Sequence, residues 1–529
     1  MDCDTIVIGS GFGGAVAAAR LAEAGERVIV LERGRRWSTA NYPRTMADKW
    51  LWSQDDPVKR NGWLDLRVFR NMAVAQGAAV GGGSHIYANI SAVPAASTFD
   101  AGWPPEISFA DLAPHYATVG AVMEVQQVPD NQWPARMKMM KEGAEAIGAG
   151  ARFRKLDLAV RFDPAWSDDA PDAMTIARSH RSPNRHGVEQ GCCVHLGNCD
   201  IGCDADAKNT LDKNYLVIAE KHGADIRPLH LVTSIEPLGR NGAGGWRVHF
   251  DRIQGERRAG SLTAKRVVLA AGSLNSTELL LRCRDVHKSL PALSAFAGRN
   301  WSSNGDFLTP AFYPGRKLHP HRGPTITSAI DFLDGSVDGQ SFWIQDGGLP
   351  DLIKGWIEAA DADASHKEVS RFLAVMRKAM AAHGPLDCMM PWFAQGVDAA
   401  DGVLSLRRRW WLFGPKRLTL KWNIAKSRKL MDTIVDMHER LSHQTNGTPV
   451  VPPSWSVARY LVTPHPLGGA NMGTSRKTGV VDHVGRVFGY EGLMVLDGAI
   501  VPEAVGVNPS RTIAALAERA IGLLAKGAA

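Results

Sequence analysis

DTIVIGSGFGGAVAAARLAEAGERVIVLE, residues 4–32, decides the fold. Its opening DTIVI is a short run rich in β-branched residues, which predicts a buried strand. Gly9, Ser10, Gly11, Phe12, Gly13 and Gly14 follow at once, and the alanine-rich AVAAARLAEAG after them predicts a helix. RVIVLE (27–32) predicts a second strand ending on Glu32, 18 residues beyond Gly14 and close to the spacing of about 20 expected for a ribose-binding carboxylate. Strand, glycine turn, helix, strand and terminal acid, in that order, make a dinucleotide-binding unit. Gly9 permits the tight turn, Gly11 brings the backbone close to a pyrophosphate, and Gly14 lets helix and strand pack; the free N–H groups of the helix face the phosphate charge. Glu32 suits a ribose diol and repels a 2′-phosphate. NAD and FAD both place an adenosine there, so this unit alone leaves the cofactor open.

The rest of the chain narrows the choice. It has 529 residues, 45% hydrophobic and 22% charged, which is enough for a large core divided among several units of about 150 residues. Its 53 glycines suit tight turns and close backbone approaches to a ligand. The net charge of +7 is scattered rather than gathered into a stripe, which disfavours nucleic acid as a partner. No stretch approaches the roughly 18 uncharged apolar residues of a membrane span, and MDCDTIVIG has acids where a secretory segment has bases, so a cytoplasmic chain is expected. Seven cysteines, with Cys3, Cys283 and Cys388 standing alone, argue against a secreted disulfide framework.

NMAVAQGAAVGGGSHIYANI (71–90) reads as backbone pressed against a flat ligand. Residues 100–190 turn to Pro, Trp and charge around a helical ARMKMMKEGAEAIGA, and read as an insertion. In CCVHLGNCDIGC (192–203), Leu196 stands where the second ligand of an iron–sulfur run starting at Cys193 belongs. Cys192 or Cys193 with His195, Cys199 and Cys203 offers zinc-ligand chemistry without the separated pairs of a structural site. No metal is expected there; buried thiols, or one local disulfide, would hold a loop. VVLAAGSLNSTELLLR (267–282) repeats strand, glycine turn and helix, so one sheet is assembled from distant segments. GQSFWIQ, GVLSLRRRWWLF and KRLTLKWN predict an antiparallel sheet as a second layer, followed by a helix over 426–445. RRRWWLF is read as a strand with one aromatic face buried, with a peripheral membrane contact as the alternative. CMMPWF (388–393) suits either a hydrophobic pocket or an ordinary core. Near the C-terminus, Asn508 is expected to cap a helix whose first turn holds Pro509.

Four separated motifs, GSGFGG with Glu32, VGGGSHIYAN (80–89), VVLAAGSLNST (267–277), and HPLGGA (465–470) followed by LDGAIVPEAVGVNP (496–509), occur in this order from end to end. Together they resemble the glucose-methanol-choline (GMC) oxidoreductases, and are most similar to the cholesterol-oxidase branch with non-covalent FAD. The resemblance implies an α/β protein: a Rossmann-like FAD-binding domain of p-hydroxybenzoate-hydroxylase type with an inserted substrate domain on an antiparallel sheet. The FAD domain would take residues 1–95, 186–309 and 456–529, a cap region 96–185, and the substrate domain 310–455. The implied reaction oxidises the hydroxyl of a hydrophobic (sterol-, terpenoid- or long-chain-like) alcohol to a ketone or aldehyde by hydride transfer to flavin N5. His465 would act as base, and Asn508 would contact the substrate oxygen and the flavin edge. Molecular oxygen, a quinone or a carrier protein would take the electrons.

The same resemblance places Gly9, Gly11, Phe12, Gly13, Gly14 and Glu32 on the dinucleotide, and Val232 at adenine. Gly83, Ser84, Tyr87 and Asn89 fall beside the isoalloxazine. Ala271, Gly272, Asp497, Gly498 and Ser510 complete the cofactor set. Gln345, in WIQDGGLP, stands where the branch has a glutamate; an amide cannot take a proton, so a double-bond isomerisation relying on that carboxylate is not expected. Ala470 replaces the cysteine of HPLGGC, Tyr87 replaces an asparagine, and His85 lies one residue short of the column where some relatives bond FAD covalently. Two other readings stay open: an FAD dehydrogenase of a sugar-like polyol using a quinone or carrier protein, and a dinucleotide-binding regulatory protein without catalysis.

Overall fold

A computed structural model describes residues 1–45, 47–350, 352, 354–355, 374, 377–378, 380–408, 414–456, 459–525 and 527. Strands Asp225–Arg227, Val28–Leu31, Cys3–Ile8, the C-terminal half of Arg258–Leu269, and Leu493–Val495 lie side by side and parallel. Being covered on both faces, they are continuous apolar runs: Val7, Val30, Val267, Val268, Leu269 and Val495 are fully buried. The strand Arg258–Leu269 serves two neighbours in turn. Its first half pairs antiparallel with Trp246–Arg252, which pairs with His230–Pro237, so a three-stranded meander grows from the parallel sheet.

The helix Phe12–Glu23 follows the first strand through the glycine turn, and its alanines 15, 17, 18 and 19 are completely buried. Small side chains let it pack closely against both Tyr215–Lys221 and the C-terminal helix Ser510–Ala525. Gly9 has φ +95°, and a Cβ at Gly13 would stand 1.6 Å from the Leu496 carbonyl oxygen. The turn is therefore closed to any other residue at these positions.

The second layer is an antiparallel sheet of six strands in the order Thr448–Pro449, Phe307–Phe312, Met389–Gly396, Gln340–Asp346, Ser328–Val337, Phe153–Lys155. Alternation divides its faces. Trp392, Ala394, Phe342 and Ile344 point towards the helix Ile424–Gln444, where Trp392 Nε1 donates to Ser442 Oγ at 3.0 Å. Gln345 pairs with Phe393, and Trp343 with Gln395, on the opposite face, towards the parallel sheet.

Three features differ from the sequence expectation. Phe153–Lys155, from the cap region 96–185, is an edge strand of the substrate sheet, because its register continues that of Ser328–Val337. Val403–Arg407 and Arg417–Lys421 pair only with each other among the described residues, forming a hairpin outside that sheet. Residues 409–413, the aromatic half of RRRWWLF, lie outside the described residues. Finally, the 71–90 stretch begins as the strand Met72–Gly77, held between the strands Leu64–Val68 and Leu461–Thr463. No described helix is long and apolar enough to cross a membrane.

Candidate active site

A cavity of about 1410 Å³ runs between the two layers. A single small ligand takes roughly 300–1,000 Å³, so there is room for a cofactor and a second molecule. Gly9, Gly11, Phe12, Gly13 and Glu32 line one part, with Val232 on the neighbouring strand. Ala271 and Gly272 continue the wall, followed by Gly83, Tyr87, Asp497, Gly498 and Ser510. His465 and Asn508 lie on the same cavity.

The residues fit a dinucleotide. A Cβ added at Gly11 or Gly83 meets nothing within 4 Å, so both backbones face open space. The helix after Gly11 has no side-chain cap and no acid in its first turn, which leaves its N–H dipoles for phosphate oxygens. Glu32 is held by Ser10, whose N–H (3.0 Å) and hydroxyl (2.8 Å) donate to Oε2, and by the Gly34 N–H at 2.8 Å from Oε1. Both carboxylate oxygens retain further acceptor capacity.

Other expected contacts resolve differently. Gly14 is not on the cavity wall; it lies under the turn, where a Cβ would be 2.1 Å from the Gly9 carbonyl oxygen. Ser84 is completely buried off the cavity, donating to the Gly81 carbonyl at 2.7 Å and accepting from the Leu211 N–H at 3.1 Å. Asn89 is likewise off the wall, with both carboxamide atoms buried and lacking a hydrogen-bond partner. Asp497 braces the loops: Oδ2 accepts from the Gly272 N–H (2.9 Å) and Ser276 Oγ (2.5 Å), and Oδ1 from the Ala499 N–H (2.7 Å). His85 is buried off the cavity, with Nε2 2.8 Å from the Val80 carbonyl and Nδ1 3.1 Å from the Tyr42 hydroxyl.

The other end of the cavity is assembled around His465. The strand Leu461–Thr463 ends there, and the His465 N–H donates to Thr463 Oγ1 at 2.9 Å. Nδ1 stands 2.9 and 3.0 Å from the two carboxylate oxygens of Asp306, whose side chain is fully buried. Burial pushes the Asp306 carboxyl up from its ordinary range, and the adjacent imidazole pulls it back. A carboxylate only accepts, so Nδ1 carries the proton and Nε2 is left as the acceptor. Asn508 Nδ2 donates to that Nε2 at 3.2 Å, and Asn508 Oδ1 accepts from Gln345 Nε2 at 2.8 Å. Gln345, Asn508, His465 and Asp306 thus form one directed chain that selects a single tautomer.

Gln345 does not itself line the cavity. It sits behind Asn508, as a positioning residue rather than a group that touches substrate. Asn508 also departs from expectation. The first helical bond is accepted by the Pro509 carbonyl, from the Ile513 N–H at 2.9 Å, so the Asn508 carboxamide serves His465 instead of capping.

Sequence reasoning missed Asp306, Gln395 and Asn304. Trp343 Nε1 donates to Gln395 Oε1 at 2.7 Å, which turns the Gln395 Nε2 towards the imidazole, where it can donate to the accepting His465 Nε2 at 3.4 Å. Asn304 holds the backbone ahead of Asn508: Oδ1 accepts from the Val505 and Gly506 N–H groups at 3.0 Å, and Nδ2 donates to the Val507 carbonyl at 2.8 Å. None belongs to a motif; Asn304 and Asp306 lie on the turn that leads into the strand Phe307–Phe312, and Gln395 on the strand Met389–Gly396 paired with it.

The cysteine loop needs no sulfur chemistry to keep its shape. All seven cysteines are free. Lys208 Nζ donates to the Cys199 carbonyl at 2.7 Å, and Arg44 donates to the carbonyls of Ile201 and Gly202 at 3.0 Å. His195 stacks on Trp166 at 4.3 Å, and burial brings its pKa down to about 4.

Comparison with known proteins agrees with this geometry. A family profile described as FAD binding domain matches residues 4–60, and one described as GMC oxidoreductase matches residues 399–517. The cholesterol oxidase of Acinetobacter baumannii is 31% identical, over 99% of this chain and 94% of its own length. That of Mycobacterium tuberculosis (strain H37Rv) is also 31% identical, over 99% and 91%. A long-chain-alcohol oxidase of Arabidopsis thaliana, FAO4B, is 23% identical over 97% of this chain and 66% of its own. Among solved structures, pyridoxine 4-oxidase from Mesorbium loti superposes with a TM-score of 0.66, at 16% identity and 98% coverage of both chains.

Proposed function

This chain belongs to the GMC oxidoreductase family, and from that premise we propose that it uses FAD to oxidise the hydroxyl of a hydrophobic alcohol to a ketone or aldehyde. The observation that carries the reading is the pairing of Asn508 with an acceptor Nε2 on His465 at the cavity wall. Bound FAD supplies the two-electron acceptor for the alcohol carbon. His465 Nε2 takes the hydroxyl proton, and Asp306 balances the imidazolium that forms. Asn508 exchanges its bond to Nε2 for one to the substrate oxygen, while Gln345 keeps its carboxamide from rotating. Phe393, Ile326 and Leu349 on the same wall make the compartment apolar and limit water. The names of the relatives, cholesterol and long-chain-alcohol oxidases, support the substrate class and favour oxygen as electron acceptor.

A membrane source for such a substrate fits the cavity wall. Val68 and Leu308 on that wall are 56% and 37% exposed, and Arg70, Arg407, Arg408 and Lys416 belong to the lining of the same cavity. Anionic bilayers would meet both features.

The test is anaerobic mixing of the yellow holoenzyme with a panel of sterols, terpenoid alcohols and long-chain alcohols. Bleaching by a hydrophobic alcohol and recovery in air are expected, and His465→Ala should keep its flavin while slowing bleaching about 100-fold or more. Bleaching only by polyols, recovery only with a quinone, or an unchanged rate in the variant would each overturn the corresponding part.

A further inference from the structure

Among the described residues, one set of three ligating side chains outside the active site brings its donor atoms within 4.8 Å of one another: His319, His321 and Asp387. The two histidines belong to the loop between the strands Phe307–Phe312 and Ser328–Val337, and Asp387 to the turn Leu386–Cys388 that opens into Met389–Gly396. His319 Nδ1 stands 3.7 Å and His321 Nδ1 3.3 Å from Asp387 Oδ1. Donor atoms around a tetrahedral zinc, with bonds of about 2.0–2.1 Å, lie about 3.3–3.4 Å apart, so only a small movement separates these atoms from a coordination shell.

Backbone holds the three side chains together. The Asp387 carbonyl accepts from the N–H groups of both Leu318 (2.7 Å) and His319 (2.9 Å). His319 takes the left-handed conformation, with φ +47°, which turns the chain between the two histidines. Their rings stand edge to face, 87° apart, and both Nδ1 atoms face the carboxylate. His321 is only 4% exposed, whereas His319 and Asp387 reach solvent, which gives an ion an entry path and leaves a position for water. The cation now paired with Asp387 is Lys354, whose Nζ lies 3.0 and 3.3 Å from the two carboxylate oxygens.

We propose that His319, His321 and Asp387 form a binding site for a divalent transition-metal ion of the zinc class, with water as a further ligand and Lys354 as the competing cation. Two imidazoles and one carboxylate suit zinc or cobalt and disfavour magnesium. None of these four residues lines the cavity, so the ion is a clamp rather than a catalyst. The loop it fastens supplies Thr325 and Ile326 to the cavity wall, and the Pro320 carbonyl accepts from the N–H of Leu349 on that wall at 2.9 Å. Bound metal therefore braces the substrate compartment and favours the folded chain.

The experiment uses FAD-loaded enzyme, stripped of metal with a chelator and dialysed against zinc at about pH 7.5, where an ordinary imidazole is neutral. One zinc per chain is expected by atomic emission, retained against excess magnesium. Zinc at about a hundredfold excess over its dissociation constant should raise the melting temperature by about 2 °C. His319→Ala, at a partly exposed side chain, and His321→Ala should each weaken binding about 100-fold, while Lys354→Met should tighten it about tenfold. Cys203→Ser should leave it unchanged, which separates this site from the cysteine loop. Flavin content establishes that each variant is folded. Zinc binding only at millimolar concentration, displacement by magnesium, loss in Cys203→Ser, or a stoichiometry that survives both histidine variants would overturn the site. Unchanged affinity in Lys354→Met would overturn the competition.

Discussion

The two ends of the cavity are built on opposite principles. At the glycine turn, a run of 29 consecutive residues supplies strand, turn, helix and carboxylate, and what closes around it from distant segments is backbone: the carbonyls of Ala79, Ala270 and Leu496. At His465, four side chains from four distant segments meet: Asp306, Gln345, Gln395 and Asn508, with Asp306 lying 159 residues from the histidine it orients. Cofactor binding here is a property of backbone geometry, whereas the proton chemistry is a property of sheet register. The first tolerates no side chain. The second depends on side chains that no local pattern reveals.

The comparison breaks most sharply at Gly13→Ala. The added Cβ would stand 1.6 Å from the Leu496 carbonyl oxygen, which is backbone and cannot swing aside. Turn and strand must separate, and the dinucleotide loses its cradle. The expected product is a colourless protein without activity. Purification with stoichiometric flavin absorbance would show that the turn has slack the geometry denies.

Asp306→Asn tests the other end, with a smaller effect. An amide can donate to Nδ1, which permits the tautomer with its proton on Nε2, where an acceptor is needed. We expect flavin retained, kcat lowered about 10–100-fold, and KM within about threefold, since Asp306 touches neither cofactor nor substrate. Equal losses in kcat and flavin content would instead mark Asp306 as part of the fold alone.

This contrast explains what could be read in advance. The βαβ unit was legible because composition and spacing agree within one short segment, and the C-terminal motifs because His465 and Asn508 each sit in a glycine- or proline-marked turn. Asp306 was not legible. The strand that follows it, Phe307–Phe312, is an ordinary, mostly buried run, and only the approach of Thr463 and His465 gives the carboxylate a role. Gln345 shows the intermediate case: its strand and its face could be anticipated, but its place behind Asn508 depends on how far the C-terminal loop reaches, which Asn304 sets. In the cysteine loop, attention falls on four thiols, while the structure gives the anchoring to Lys208 and Arg44 and the cavity wall to Asp200.

Asp200 supplies the smallest and most delicate prediction, a pH dependence of stability. Its folded pKa, about 6, lies above the ordinary value of 3.8 because of burial. Between those values the folded protein holds a proton that the unfolded chain has released. The stabilising contribution is therefore complete below about pH 4 and is lost as the pH rises through about 6. An amide at this position does not titrate, so the melting temperature of the variant Asp200→Asn relative to wild type should rise between about pH 4.5 and 7.5. Partial exposure of the residue limits the shift to about 1–2 °C for a chain of this size. A difference that is flat over this range would mean that the carboxyl is solvated in the folded protein, and that its wall of the cavity is as open to water as the opposite, glycine-lined one.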